Sequence, residues 1–277
     1  MLYNCKHILD RVKEGAKEYI ETLDFKPEVV IIQAGNDEPS NRYVRNKVKD
    51  FEYIGITGTV KHVDTIKEVT KAIHTANNDP NVVGIILQRP VLVSDVPASR
   101  GLDMMLSKEI DPNKDIDGVV DDSICWNPCV RAMDILLQEW EYNPSGMHAV
   151  ILGRGEVGSQ IEKYLLSRNA TVTVCHSKTP DYTRARLLNV ADMIVGAAGL
   201  KIPTMPTTWN WNRIVIDYGI TMGEDGKLHG DIASGHSGWC KHQTSVPGGM
   251  GLMVRAALIR NIVEIIPNDE CILIPRN

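Results

Sequence analysis

The run Val150-Ile151-Leu152-Gly153-Arg154-Gly155-Glu156-Val157-Gly158 sends an apolar strand straight into a G-x-G-x-x-G turn. Gly153 permits a tight strand-to-helix turn, Gly155 lets backbone approach a pyrophosphate, and Gly158 lets the next helix pack close to the strand. That helix then turns its first N–H groups toward the phosphates. Taken alone, the pattern also fits an ordinary glycine turn. Its surroundings favour a dinucleotide site, because Met147 to Leu152 read as a buried strand and Ile161, Tyr164, Leu165 and Leu166 mark a helix covering a sheet.

In such units the second strand commonly ends in an Asp or Glu that holds the ribose 2′-hydroxyl of NAD. Here the strand Ala170 to Cys175 runs into His176-Ser177-Lys178, which offer donors and a cation instead. With Arg154 inside the glycine turn as a second cation, the expected ligand carries a 2′-phosphate, which makes it NADP. A solvated loop is the competing account of residues 176–178. Asp181, the next acid, is expected to lie too far along to take the missing role.

Composition limits the remaining choices. A chain of 277 residues, 43% of them hydrophobic, buries a real core as one large or two ordinary domains. The formal charge of −5 comes without a basic stripe, which argues against nucleic acid as a partner. Met1 to His7 lack the apolar core of a signal peptide, and no stretch approaches a membrane span, so a cytoplasmic protein with no membrane partner is expected. Cys5, Cys125, Cys129, Cys175, Cys240 and Cys271 form no C-x-x-C and no zinc-like set with histidine, so reduced thiols and no metal are expected.

Along the chain, apolar spacing predicts a helix over 6–23, a strand at Val29 to Ile32, and a helix from Pro39-Ser40 that ends near Gly55. A helix over 65–76 and a strand from Val82 to Leu87 follow. That strand ends at Gln88-Arg89-Pro90, and ligands in open α/β sheets gather at the carboxyl ends of strands. A helix beginning near Pro128 is broken by Asn143-Pro144-Ser145-Gly146 and carries the domain boundary. Further strands are expected at Met193 to Val195 and Ile214 to Asp217. The fold class is therefore α/β with two α/β domains. Residues 1–140 and 253–277 form one, residues 141–252 form a Rossmann-type dinucleotide-binding domain, and the last helix, from about Leu252 to Ile265, returns to the first.

A second constellation lies in Tyr43-Val44-Arg45-Asn46-Lys47-Val48-Lys49. Tyr43 and Lys47 are four apart and share a helix face, while Val44, Val48 and Phe51 turn another face to the core. A ring and an amine pointing together suit a flat substrate that needs stacking and charge or a base. A solvated lysine beside a half-buried tyrosine has the same spacing. Likewise Asp111 to Gly118, dense in acids and turn formers, passes on its own for a surface loop.

Four motifs now stand in order: Ser40-Asn41-Arg42-Tyr43-Val44-Arg45-Asn46-Lys47-Val48-Lys49, Leu87-Gln88-Arg89-Pro90, Lys114-Asp115-Ile116-Asp117-Gly118 and Val246-Pro247-Gly248-Gly249-Met250-Gly251. Together with Gly153 to Gly158, Cys175 to Thr179 and Ile216-Asp217-Tyr218-Gly219-Ile220, they make the chain resemble the bifunctional methylenetetrahydrofolate dehydrogenase/methenyltetrahydrofolate cyclohydrolase family over nearly its whole length. The resemblance implies an enzyme of one-carbon metabolism, both oxidoreductase and hydrolase. It oxidises 5,10-methylenetetrahydrofolate with NADP, then hydrolyses the methenyl product to 10-formyltetrahydrofolate. It implies that the first domain binds folate and carries catalysis, and that the protein is a homodimer. By the same resemblance Lys47 is the main catalytic residue, Tyr43 packs on the folate, Gln88 hydrogen-bonds and tunes Lys47, and Asp117 holds the pterin. Pro247, Gly248 and Gly249 bring backbone to the substrate. Gly153, Arg154, Gly155, Glu156, Val157, Gly158, His176, Ser177, Lys178, Ala198, Gly199 and Ile220 bind the cofactor.

The chain also departs from the family pattern. Gly155 stands for the usual serine in a glycine turn that reads one residue shorter, Arg89 for a leucine, Pro128-Cys129-Val130-Arg131 for P-C-T-P, and Leu252 and Val254 for a proline and a threonine. Two other readings share the plan. One is a shikimate-type dehydrogenase, against which Tyr43, Gln88 and Pro247-Gly248-Gly249 speak. The other is a cofactor-holding regulator without turnover, which retention of Lys47 disfavours.

Overall fold

The computed structural model describes residues 2–200, 206–208, 210–233 and 240–266. Met1, Cys271 and the end of the segment 253–277 lie outside that set. The chain forms two compact units, a first of residues 10–128 and 255–277 and a second of residues 1–9 and 129–254.

The chain starts with β1 (Leu2–Tyr3) and passes through α1 (Lys6–Ile20) into the first unit. There it runs β2 (Glu28–Ala34), α2 (Glu38–Tyr53), β3 (Thr57–Val63), α3 (Ile66–Asn78), β4 (Val82–Gln88) and α4 (Arg100–Ser107). The three strands are parallel in the order β3-β2-β4. Strand β2 is buried along nearly its whole length, as a parallel strand covered on both faces must be. Val30 and Ile32 pack with Val69 and Ile73 of α3 and with Leu102 and Leu106 of α4. Helix α2 lies against β3, where a Cβ added to Gly58 would sit 3.2 Å from the Phe51 ring. Asp37 caps α2, its carboxylate accepting from Ser40 N at 2.9 Å, and Gly55 follows the helix with φ +88°. The outer edge of β4 is closed by the segment around Lys114 and Asp115, since Ile85 N donates to Lys114 O at 2.7 Å.

After α5 (Pro128–Glu139) the second unit runs β5 (His148–Leu152), α6 (Glu156–Ser167), β6 (Thr171–Cys175), α7 (Asp181–Val190), β7 (Met193–Gly196) and β8 (Ile214–Asp217). A short antiparallel pair, β9 (Thr221–Met222) and β10 (Leu228–His229), precedes β11 (His242–Thr244). Six strands form an all-parallel sheet in the order β1-β11-β8-β7-β5-β6. β6 lies on one side of β5 and β7 on the other, so the connections reverse there and open a crevice beyond the carboxyl ends of these strands. Val150, Leu152, Ile194 and Val215 form the core of this sheet with Leu188 of α7. Helix α8 (Met250–Ile265) then leads back, its residues from Arg255 onward belonging to the first unit.

The units divide at 128/129 and 254/255, where the sequence reading sets the boundaries at 140/141 and 252/253. Two contacts tie residues 2–3 and α5 into the second unit. β1 pairs in parallel with β11, which carries residues 1–9 into the second unit, and Asp134 of α5 accepts from Tyr164 Oη of α6 at 2.7 Å. Cys5, Cys125, Cys129, Cys175 and Cys240 are free thiols. Among the described residues no helix is long and apolar enough to cross a membrane, and no three His, Cys, Asp or Glu side chains gather as a metal site.

Candidate active site

In the first unit three chain segments bring a lysine, an amide and a carboxylate together. Lys47 projects from the middle of α2, Gln88 ends β4, and Asp117 follows the segment along the β4 edge. Lys47 Nζ donates to Gln88 Oε1 at 3.4 Å and stands 4.0 Å from Asp117 Oδ2. Gln88 Nε2 donates to Arg89 O at 2.9 Å, which fixes the amide with its oxygen toward the lysine. Lys47 and Asp117 are 17% and 18% exposed, so the group is partly desolvated yet open to a ligand. Tyr43 sits one turn earlier on the same stripe of α2 and is exposed, while Val44 and Phe51 are buried as the spacing predicts and Val48, expected with them, is only half-buried. A cleft of about 650 Å³ opens elsewhere on α2, between Val48, Glu52 and His62, and does not include Lys47.

Charge anchors α2 two turns beyond Tyr43. Asp50, 3% exposed, accepts from Lys13 Nζ at 3.0 Å and, through both oxygens, from Arg255 Nε at 2.6 Å and Nη2 at 2.7 Å. Helices α1, α2 and α8 are thus tied at one buried carboxylate. The segment bearing Asp117 is fixed as firmly. Lys114 Nζ donates to Ala76 O, Asn77 O and Asp79 O at 3.0, 2.8 and 2.7 Å, closing the end of α3. Burial pulls the Lys114 pKa down. Asp115 accepts from Val119 N and Val120 N at 2.7 and 2.8 Å, and burial raises its pKa against those bonds. Asn261 of α8 donates to Ile116 O and Trp126 O, both at 2.8 Å. Gly118, at φ +57°, leaves no room for a Cβ, which would lie 2.5 Å from Asn127 N.

In the second unit the glycine turn lies where the crevice opens. A Cβ on Gly153 (φ +119°) would sit 2.2 Å from Ala197 O, and one on Gly158 would sit 2.3 Å from Gly153 O. Gly155 instead faces open space and caps α6 without a side-chain bond. Glu156 and Val157 form the first turn of α6. Gly153, Arg154, Gly155, His176, Ser177 and Ala198 line one cleft of about 270 Å³. His176 Nδ1 accepts from Lys178 N at 3.2 Å, so the neutral ring carries its proton on Nε2. Lys178 itself is exposed and stands outside that lining, as do Gly199 and Ile220. Arg184 of α7 lines the cleft instead, tied to Asp181 at 2.5 Å.

Beneath the loop after β7 lie two buried carboxylates. Asp231 Oδ2 accepts from Ala198 N at 2.5 Å and Gly199 N at 3.2 Å. Asp217 accepts from Gly219 N, Asp231 N and Ile232 N at 2.8, 3.2 and 2.8 Å. Burial raises both pKa values, that of Asp217 to about 6. Gly248 and Gly249 have a packing reason of their own. Added Cβ atoms would lie 2.7 Å from Asn4 Nδ2 and 2.3 Å from Ser245 O, so these glycines first serve the protein's own turn.

Residues 3–117 match the family model described as tetrahydrofolate dehydrogenase/cyclohydrolase, catalytic domain, and residues 128–270 match its NAD(P)-binding domain. The chain belongs to the tetrahydrofolate dehydrogenase/cyclohydrolase family. The bifunctional protein FolD of Malacoplasma penetrans is 32% identical, over 96% of this chain and 97% of its own. The crystal structure of the Campylobacter jejuni bifunctional enzyme FolD, methylenetetrahydrofolate dehydrogenase/cyclohydrolase, superposes with a TM-score of 0.84 at 29% identity, covering 96% of this chain and 98% of that one. The shikimate 5-dehydrogenase of Listeria monocytogenes reaches a TM-score of 0.51 at 12% identity over 87% and 93% of the two chains, a likeness of fold alone.

Within this tetrahydrofolate dehydrogenase/cyclohydrolase framework, Lys114, Asp115, Arg184, Asp231 and Asn261 are the residues the sequence reading leaves out of the candidate site. Lys114 and Asp115 stand inside a quoted motif, but spacing does not separate a loop clamp from a ligand contact. Arg184 lies nine residues past Cys175, where β6 ends, beyond the window in which a strand-end residue is sought.

Proposed function

We propose that the protein is a bifunctional enzyme that oxidises 5,10-methylenetetrahydrofolate to the 5,10-methenyl form with NADP and hydrolyses that product to 10-formyltetrahydrofolate. The observation that carries the reading is the Lys47 amine set between Gln88 Oε1 and Asp117 Oδ2, in a chain whose two halves match both domains of one family. NADP, when bound, accepts the hydride from the methylene carbon. The residues present fit it: a glycine turn with open space at Gly155, the N-terminus of α6 beside it with no side-chain cap from Gly155, and arginines rather than an acid along the cleft.

Loss of hydride leaves a methenyl cation, so the first step asks the protein mainly to position that carbon. Hydrolysis asks for proton movement. Water adds to the cationic carbon and gives up one proton, the carbon's bond to one ring nitrogen breaks, and that nitrogen receives the second proton, lost by the new hydroxyl as it becomes the formyl C=O. Lys47 Nζ moves the proton, and Gln88 holds the amine in place. Asp117 accepts from the pterin amino and ring N–H groups, and the exposed ring of Tyr43 stacks on the folate. We assign the enzyme to the cytoplasm as a homodimer, the assembly the resemblance implies. Sedimentation of the purified chain tests the dimer.

The deciding experiment mixes protein, methylenetetrahydrofolate and NADP and follows reduced cofactor and methenyl product together by absorbance. Reduced cofactor forming while methenyl stays low supports both activities on one chain. Methenyl accumulating in step with reduced cofactor removes the hydrolase, and no reduction with NADP or NAD overturns the reading.

A further inference from the structure

The cleft beside the glycine turn holds a cation that neither the turn nor the strand end supplies. Helix α7 begins at Asp181, six residues past the end of β6, and its fourth residue, Arg184, returns toward that strand. The Arg184 side chain is only 11% exposed and lines the same cleft as Arg154, His176 and Ser177. Its guanidinium is held by Asp181, whose Oδ1 accepts from Nη2 at 2.5 Å. The positive charge also reaches Cys175, the last residue of β6, where it opposes the burial that raises the thiol. The guanidinium therefore stands beside the strand end at which NAD-dependent enzymes of this architecture place an acid.

A planar fork of N–H donors suits the oxygens of a phosphate, and its charge gives the bare 2′-hydroxyl of NAD no comparable partner. Lys178, the cation offered by the strand-end sequence, is exposed and outside the cleft. We propose that Arg184 is a specificity-determining residue that binds the 2′-phosphate of NADP from α7, together with Ser177 and Arg154 of the same cleft, with Asp181 as the carboxylate that positions it. The inference rests on the NADP reading above and adds the residue that selects the cofactor.

The test titrates the purified full chain with four probes: NADP, NAD, adenosine 2′,5′-bisphosphate and adenosine 5′-monophosphate. Wild type, Arg184→Gln and Arg184→Lys are compared by calorimetry, with thermal midpoints recorded alongside. Arg184→Gln is expected to weaken NADP and the bisphosphate by about tenfold or more and to leave NAD and the monophosphate within about twofold. Arg184→Lys falls between, keeping the charge and losing the fork. Equal weakening of all four probes, or unchanged NADP binding, overturns the role of Arg184. If Arg184→Gln does not fold, Arg184→Lys decides alone, since a loss confined to the 2′-phosphorylated probes supports the role and no such loss overturns it. A wild-type protein that binds the bisphosphate no tighter than the monophosphate overturns the NADP reading itself, whatever the variants do.

Discussion

From Lys114 to Gly118 neighbouring side chains do different work. Lys114 closes the end of α3, Asp115 clamps its own loop through two backbone N–H groups, and Asp117 faces Lys47. Gly118 lets the turn press against the backbone of residues 125–127. The motif is legible in the sequence, but this division of labour is not, because three charged residues in four positions look alike until the backbone says which way each points. Asn261 shows the same limit from the other side, since nothing near it in sequence marks it as the support of Ile116 and Trp126. Asn261→Ala removes the donor shared by the carbonyls of Ile116, which is buried, and Trp126, and is expected to cost about 1–3 kcal/mol, read as a lower urea midpoint. At the strand end, Ser177→Asp adds a negative charge to the cleft and is expected to raise the Kd of NADP far more than that of NAD. Equal losses count against the pocket assignment.

Among the elements, α2 and β4 are read correctly from spacing because each has a long apolar signal and a clear stop, Gly55 for the helix and Arg89-Pro90 for the strand. β3 is harder. Thr57-Gly58-Thr59-Val60-Lys61-His62-Val63 is an edge strand with no fully buried residue, so its alternation is faint. α7 is equally faint, with Leu188 its one fully buried side chain, and with it goes Arg184. What holds α2 in place is charge as well as packing. Asp50→Ala would strand Lys13 and Arg255 without their shared carboxylate and is expected to destabilise the first unit by about 2–4 kcal/mol. Hydrolase activity should fall further than NADP binding, because Lys47 shares the helix. Gly155→Ser has the opposite sign. The backbone there, at φ −72°, suits an L-residue and open space surrounds it, so a hydroxyl cap should stabilise α6 by a few tenths of a kcal/mol, seen as a small rise in thermal midpoint.

For the whole molecule, the sequence shows two α/β units and the return of the last helix, but hides that residues 2–3 complete the second sheet. Two residues pairing with a strand some 240 positions away leave no local pattern. The second unit also carries a pH dependence. Asp217 holds its proton in the folded state up to about pH 6, whereas in an unfolded chain a carboxyl loses it near pH 4. Its stabilising contribution is complete below the unfolded value and lost as pH rises through the folded one. The stability difference between wild type and Asp217→Asn should therefore shift toward the variant by roughly 1 kcal/mol between pH 5 and pH 7.5, measured by urea unfolding. No such shift would mean that the carboxyl is ionised throughout. Lys47, held by Gln88 and faced by Asp117, is the residue on which the proposed hydrolysis turns. Its role is read from the rate at which Lys47→Met hydrolyses methenyltetrahydrofolate, taken beside its Kd for NADP. A loss of about 10²-fold or more in hydrolysis with NADP binding nearly intact is expected, and hydrolysis at the wild-type rate would remove Lys47 from the mechanism.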